Sequence, residues 1–280
     1  VITWGHKGEG GDSSTVSTDL TNVVDIVSGR GSFAALKADG SVVTWGKPRY
    51  SDSSQVSSEL NNIIKVFSNG HAFAALKGDG SVVTWGNQKY GGDSGQVSSQ
   101  LKNVQKIYGN PYAFAALKSD GTVVTWGDSH KGGDSSAAVS ELYNVVDISS
   151  ALASFAALKA DGSVIVWGSD RFGGDPSSVA SDLNNITQLF SSGYMSYVAI
   201  KPDRSAITWG LPQLWSPDNL GEIPPPHLNQ IAQVYTNGEA FAALKIDGSV
   251  ITWGYRNHGG DSTAVSPQLV NIANIFSNEP

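Results

Sequence analysis

The chain has 280 residues, of which only 15% are charged, and a formal net charge of −7. No Lys/Arg run is present, which argues against nucleic acid and acidic membrane surfaces as partners, and no apolar run approaches the roughly 18 residues that a membrane helix needs. There is no cysteine, which excludes disulfides, thiol catalysis and cysteine-ligated zinc; the compartment is left open, leaning towards a secreted or cell-surface setting.

The chain starts at Val1 with neither Met nor a signal peptide, so it reads as a mature or excised segment. Val1-Ile2-Thr3-Trp4 is a β-branched run that ends in an aromatic, followed by Gly5. Gly10-Gly11-Asp12-Ser13-Ser14 comes next, then a Val16 to Leu20 step that fits one helical turn or an extended crossing. Asn22-Val23-Val24-Asp25-Ile26 reads as a strand. Phe33-Ala-Ala-Leu-Lys-Ala-Asp-Gly-Ser-Val-Val-Thr-Trp-Gly46 is a hairpin, because Asp-Gly between β-formers supplies the positive φ of a tight turn. A tight turn places Phe33 beside Trp45 at the open end.

The unit then recurs. Trp-Gly pairs begin at Trp4, Trp45, Trp85, Trp126, Trp167, Trp209 and Trp253, with spacings of 41, 40, 41, 41, 42 and 44. Repeats of this length suit the blades of a propeller. The reading is all-β: a single seven-bladed β-propeller domain over residues 1–280, with three to four antiparallel strands per blade. From the axis outward the expected order is Phe-Ala-Ala-Leu-Lys, Val-Val-Thr-Trp, Asn-Val-x-x-Ile, with all seven Trp side chains wedged between blades. Helical repeats fail because no unit carries a 3.6-residue apolar period. A β-helix fails because its rungs are shorter and need no hairpin turn.

Two departures stand out. Repeat six replaces the Gly-Gly-Asp segment with a Pro-rich insertion, Leu211 to Pro226, which holds Trp215, and its hairpin has Arg204 in place of the turn Gly. There are also seven Trp-Gly strands but only six of the Phe-Ala-Ala-Leu-Lys type, starting at Phe33, Phe73, Phe114, Phe155, Tyr197 and Phe241. The partner of Val1–Trp4 is missing, so the expectation is that the natural chain continues past Pro280 or that a neighbouring molecule completes the blade.

The run Asn69-Gly-His71-Ala-Phe-Ala-Ala-Leu-Lys-Gly-Asp-Gly-Ser-Val-Val-Thr-Trp-Gly86 resembles the repeat of the regulator of chromosome condensation family. The resemblance spans the whole chain at its seven Trp-Gly positions. In spacing it is closer to the propeller-type β-lactamase inhibitory protein. It implies a seven-bladed propeller and names no function, since propellers host many activities. The chain lacks a basic tail for nucleosomes and the Gly-Trp-Arg-His-type motif of the plant ultraviolet-B photoreceptor.

Catalysis finds little support. His6, His71, His130, His227 and His258 have no metal-ligand spacing, no Gly-x-Ser-x-Gly occurs, and the Gly-Gly-Asp-Ser-Ser segments lack the alternating oxygens of a calcium loop. No cofactor or metal is expected. Hairpin geometry instead sends both variable loop sets to one face. The candidate binding residues there are Tyr50, Tyr90, Tyr112, His130, Arg171, Phe172, Tyr194, Trp215, Tyr255 and Arg256. Aromatics and Arg on loops above a constant framework fit recognition of a protein or glycan. The alternatives are a structural module that self-assembles through its incomplete blade, and an enzyme acting at the central channel.

Overall fold

A computed structural model describes residues 1–210 and 227–277. The chain divides into two compact units, residues 1–139 and 140–280. Among the described residues there are six antiparallel sheets, each made by one repeat. In the first unit they are β1 (Val23–Gly29), β2 (Ser32–Lys37) and β3 (Val42–Gly46); β4 (Ile63–Ser68), β5 (Ala72–Lys77) and β6 (Val82–Gly86); and β7 (Val104–Asn110), β8 (Ala113–Lys118) and β9 (Val123–Gly127). In the second they are β10 (Val145–Ser150), β11 (Ser154–Lys159) and β12 (Val164–Gly168); β13 (Gln188–Ser191), β14 (Tyr197–Ile200), β15 (Ala206–Trp209) and β16 (His227–Leu228); and β17 (Ile231–Thr236), β18 (Ala240–Lys245) and β19 (Val250–Gly254).

The hairpin register is the one expected from the Asp-Gly turn. Phe33 lies opposite Trp45, and their rings stack with centroids 5.2 Å apart. The same pair stacks at 5.1–5.4 Å in the other five sheets, with Tyr197 in place of Phe in the fifth. The Val-x-x-x-Leu step opens with a single 3₁₀ turn, Ser14–Val16 in the first repeat, and delivers a buried Leu20.

The expected strand order is corrected. Phe-Ala-Ala-Leu-Lys is the central strand of each sheet, between Asn-Val-x-x-Ile on one side and Val-Val-Thr-Trp on the other. The reason is burial: Ala34, Ala74, Ala115, Ala156 and Phe73, Phe114, Phe155 are wholly inaccessible, and small side chains let sheets stack closely above and below a central strand. The Asn-Val-x-x-Ile strands form the other edge, and within the first unit β1 packs beside β4 and β4 beside β7.

Six sheets are found among the described residues, one for each repeat that carries a Phe or Tyr strand. Val1–Trp4 forms no strand and Trp4 is 83% exposed, the single Trp-Gly indole not wedged in a core. It has no Phe or Tyr strand opposite it to stack against. The seventh Asn-Ile-x-x-Ile segment, Asn271 to Ile275, is likewise not a strand.

Cores lie between successive sheets of a unit. Leu36, Ile63, Val66, Phe73, Val83 and Trp85 fill the space between the first two sheets, and Leu101, Ile107, Phe114, Val124 and Trp126 that between the second and third. In the second unit Leu158, Val179, Leu189, Tyr197 and Trp209 form one core and Val198, Leu228, Ile231, Phe241 and Trp253 another. Each such large apolar side chain contributes about 1.5–3 kcal/mol by burial.

The residue at the head of each first strand, Asn in five sheets and Gln230 in the sixth, does something the periodicity did not reveal. Asn22, Asn62, Asn103, Asn144 and Asn185 sit at φ of 52–56°, and Gln230 takes this place at 61° in the sixth sheet; a register shift follows Asn22, Asn62, Asn103, Asn144 and Gln230. Asn tolerates this left-handed region better than other non-Gly residues. Beside it docks the hairpin turn of the preceding repeat: the Ile63 N–H donates to the Gly40 carbonyl at 2.9 Å, and the pattern repeats from Val104 to Gly80 and from Ile186 to Gly162. A Cβ on Gly40 would stand 3.1 Å from the Asn62 Cα, so the turn needs Gly for space as well as for its φ of +79°.

Arg204 makes the same turn at φ +64° and accepts from the Ile231 N–H at 2.9 Å. A non-Gly residue in this region costs about 1–2 kcal/mol. Arg204→Gly is therefore expected to stabilise the protein by about 1 kcal/mol in urea unfolding; a loss of stability would show that the Arg side chain matters more than the relieved backbone.

The Gly-Gly-Asp-Ser-Ser segments are turns closed by their own Asp. Asp12, Asp52, Asp134 and Asp175 each accept from a backbone N–H two residues on, at 2.8–2.9 Å. The hairpin aspartates do the same: Asp39 accepts from both the backbone N–H and the hydroxyl of Ser41. In the fifth sheet, where this segment is replaced by residues 211–226, β16 pairs along β15 as a fourth strand.

A candidate recognition surface on the loops of the first three sheets

The loops before each central strand and after each Trp-Gly pair leave the sheets at the same end. Backbone hydrogen bonds join them across repeats: the Arg30 N–H donates to the Gly70 carbonyl at 2.6 Å, and the Leu152 N–H to the Tyr194 carbonyl at 2.8 Å. Two buried amides fix the loop pairs. The Asn69 side-chain oxygen accepts from the His71 and Ala72 N–H groups, while its Nδ2 donates to the Tyr90 carbonyl at 2.7 Å. Asn110 repeats this, accepting from the N–H groups of Tyr112 and Ala113 and donating to the Lys131 carbonyl at 2.9 Å. Asn237 does the same between Ala240 and His258. The visible signal was an Asn three residues before Ala-Phe-Ala in these repeats alone.

This framework brings four rings from four loops together. Tyr50 stands on a short helix, α1 (Pro48–Ser51), whose first residue, Pro48, suits the first helical position. Its ring meets His71 edge-on at 5.6 Å. Tyr90 meets His71 edge-on at 5.1 Å and Tyr112 edge-on at 5.3 Å, while His71 and Tyr112 lie nearly parallel, 6.3 Å apart. All four are half-buried. Edge-to-face aromatic pairs of this kind are each worth about 0.5–1.5 kcal/mol beyond their buried area.

Cations surround the rings. The Lys131 ammonium lies 3.6 Å from the centre of the Tyr112 ring, Lys89 is 5.6 Å from Tyr90 and the Arg49 guanidinium 5.9 Å from Tyr50. The buried Asp128 carboxylate is 3.4 Å from the Lys89 ammonium and accepts from the His130 N–H. His71 Nδ1 donates to the Pro111 carbonyl at 2.9 Å, which leaves the neutral ring with Nε2 as an acceptor. Burial pushes the His71 pKa below its ordinary value, and the Arg30 and Arg49 charges add to this against the opposing hydrogen bond.

Of the residues singled out from the sequence, Tyr50, Tyr90 and Tyr112 converge, and His130 stands on the rim with its side chain 91% exposed. His71, noted in the sequence only as one loop residue among many, is the ring that touches all three tyrosines. The second unit carries its candidates on separate loops. Arg171 is exposed and Phe172 half-buried on one 3₁₀ turn, and Tyr194 is half-buried on the loop before β14. Tyr255 meets His258 edge-on at 4.7 Å, His258 pairs with Glu239, and Arg256 lies 3.4 Å from Asp261. Trp215 lies outside the described residues.

No protein family matches the chain, and no curated protein matches it in sequence. Among solved structures, human WBSCR16 aligns over 82% of this chain and 76% of its own, at 15% identity and a TM-score of 0.51. The likeness is one of fold. The chain is an all-β repeat protein: among the described residues each repeat forms a three- or four-stranded antiparallel sheet whose hairpin is closed by a stacked Phe–Trp or Tyr–Trp pair. Prp20p of Saccharomyces cerevisiae aligns at 16% identity over 86% of this chain and 74% of its own, with a TM-score of 0.49; its structure was described together with its binding to Gsp1p and histones. The CRINKLY WD40 ectodomain of the Arabidopsis thaliana receptor kinase ACR4 aligns at 14% identity over 83% and 80%, with a TM-score of 0.48.

Proposed function

We propose that this RCC1-like chain is a non-catalytic scaffold that recognises a protein partner through its variable loops, with the seven Trp-Gly repeats acting as seven blades of one propeller domain. The observation that carries the reading is the convergence of Tyr50, His71, Tyr90 and Tyr112 from four loops with cations around them. Tyr and Arg are the residues most often found as anchors at protein interfaces. The loops are pinned by Asn69 and Asn110, so little conformational entropy is lost on binding. The polar groups that chemistry would need are engaged locally. The turn aspartates hold their own backbones, and His71 Nδ1 holds the Pro111 carbonyl.

The test is capture of the native partner by the immobilised chain, compared with Tyr90→Ala/Tyr112→Ala and, separately, Arg171→Ala. The expected outcome is a loss of about 100-fold or more in apparent affinity for the double variant, with its circular dichroism spectrum retained. Undiminished capture by the double variant sinks the reading, and loss on Arg171→Ala alone moves recognition to the second unit.

A further inference from the structure

We infer that the Tyr50–His71–Tyr90–Tyr112 cluster, with the Arg30 and Arg49 guanidinia beside it, is a docking site for an acidic segment of a protein partner. This rests on the proposed scaffold role and gives its partner a chemistry.

Charge is the first argument. The chain as a whole is acidic, at −7, yet cations gather at this cluster. Among the described residues Arg30, Arg49 and Lys131 have no carboxylate within ion-pairing distance, and the nearby Asp128 is already paired with Lys89. Arg30 and Arg49 are exposed, and both act on His71 as positive charges. Guanidinium groups bind carboxylates through two parallel hydrogen bonds, which gives directional recognition of Asp and Glu side chains.

The second argument concerns the rings. Sugar recognition uses an open, flat aromatic face. Here His71 and Tyr112 lie against each other, Tyr90 closes on both edge-on, and Lys131 sits on Tyr112. What the cluster offers instead is ring edges, phenolic hydroxyls and cations. That set matches a peptide with carboxylates next to its main-chain amides. The half-buried Tyr50 ring beneath the Arg49 guanidinium also lowers the local dielectric and strengthens the pairing.

The experiment titrates the full 280-residue chain with three probes in a calorimeter. They are a capped decapeptide of alternating Glu and Gly, its Gln counterpart, and an oligogalacturonate of equal charge. The Glu peptide is expected to bind at low salt and to weaken about tenfold or more when the Debye length is shortened to about 3 Å by 1 M salt. Arg30→Gln and Arg49→Gln should each cost about tenfold, whereas Lys102→Gln, on an exposed position outside the cluster, should change nothing. Equal binding of the Gln peptide, unaltered binding by the Arg30→Gln/Arg49→Gln variant, or tighter binding of the oligogalacturonate overturns the inference. If the Glu peptide fails to bind while Tyr90→Ala/Tyr112→Ala still abolishes partner capture, the acidic segment is wrong and the scaffold reading stands. If capture also survives that double variant, both fall.

Discussion

Replacing Trp126 with Ala is expected to lower the free energy of unfolding by about 3–5 kcal/mol. The indole is 4% exposed, stacks on Phe114 at 5.3 Å and donates from Nε1 to the Gly91 carbonyl at 3.1 Å. It closes the core between the second and third sheets with Leu101 and Ile107 around it. Truncation removes the stack and the apolar area, and it leaves a cavity that the flanking sheets cannot fill because their strands are tied to each other by main-chain hydrogen bonds. Trp4→Ala provides the contrast. The same Trp-Gly sequence is there, but the ring is 83% exposed, so the change should stay within about 0.5 kcal/mol. Urea midpoints for the two variants decide the matter. Equal losses would mean that the repeat position, and not burial, sets the contribution.

Acid is expected to weaken the fold in a narrow window. Eleven aspartates at the turns, among them Asp39, Asp79, Asp120, Asp161, Asp203 and Asp247 on the hairpins, are held below the ordinary value of 3.8. On the hairpins the main cause is the Ser or Thr hydroxyl two residues on, followed by its backbone N–H. Asp120 is lowered furthest, to about 2, with Lys118 contributing after Thr122. Because the folded values lie below the unfolded one, the unfolded chain binds more protons as pH falls. The stabilisation is complete above pH 3.8 and is lost as pH drops towards the folded values. The melting temperature should therefore hold down to about pH 4 and then fall steeply to about pH 2. Asp79→Asn/Asp120→Asn/Asp161→Asn, which keeps an acceptor but does not titrate, should flatten that slope. A flat profile in the native protein would show that these turn bonds contribute nothing to stability.

Much of the fold was legible because it is local. Asp39-Gly40 sets a tight turn, and the turn alone sets the register that puts Phe33 against Trp45. Asp12 and its counterparts close their own loops two residues away, which a short pattern can express. The recognition residues were legible as a population and not as a site. Tyr50, Tyr90 and Tyr112 lie about 40 and 20 residues apart along the chain, and their meeting depends on where Asn69 and Asn110 clamp separate loops.

By itself the sequence determined an all-β repeat of about 41 residues, its hairpins, its turns and the identity of the wedge in each core. Which strand lies in the middle was settled only by tertiary packing, because the same three apolar runs can be ordered in more than one way until neighbouring sheets demand small residues between them. The fate of Trp4 and the grouping around His71 were settled there too. A side chain is buried, or joined to another, by what stands opposite it in space, and at those positions that partner comes from a different repeat.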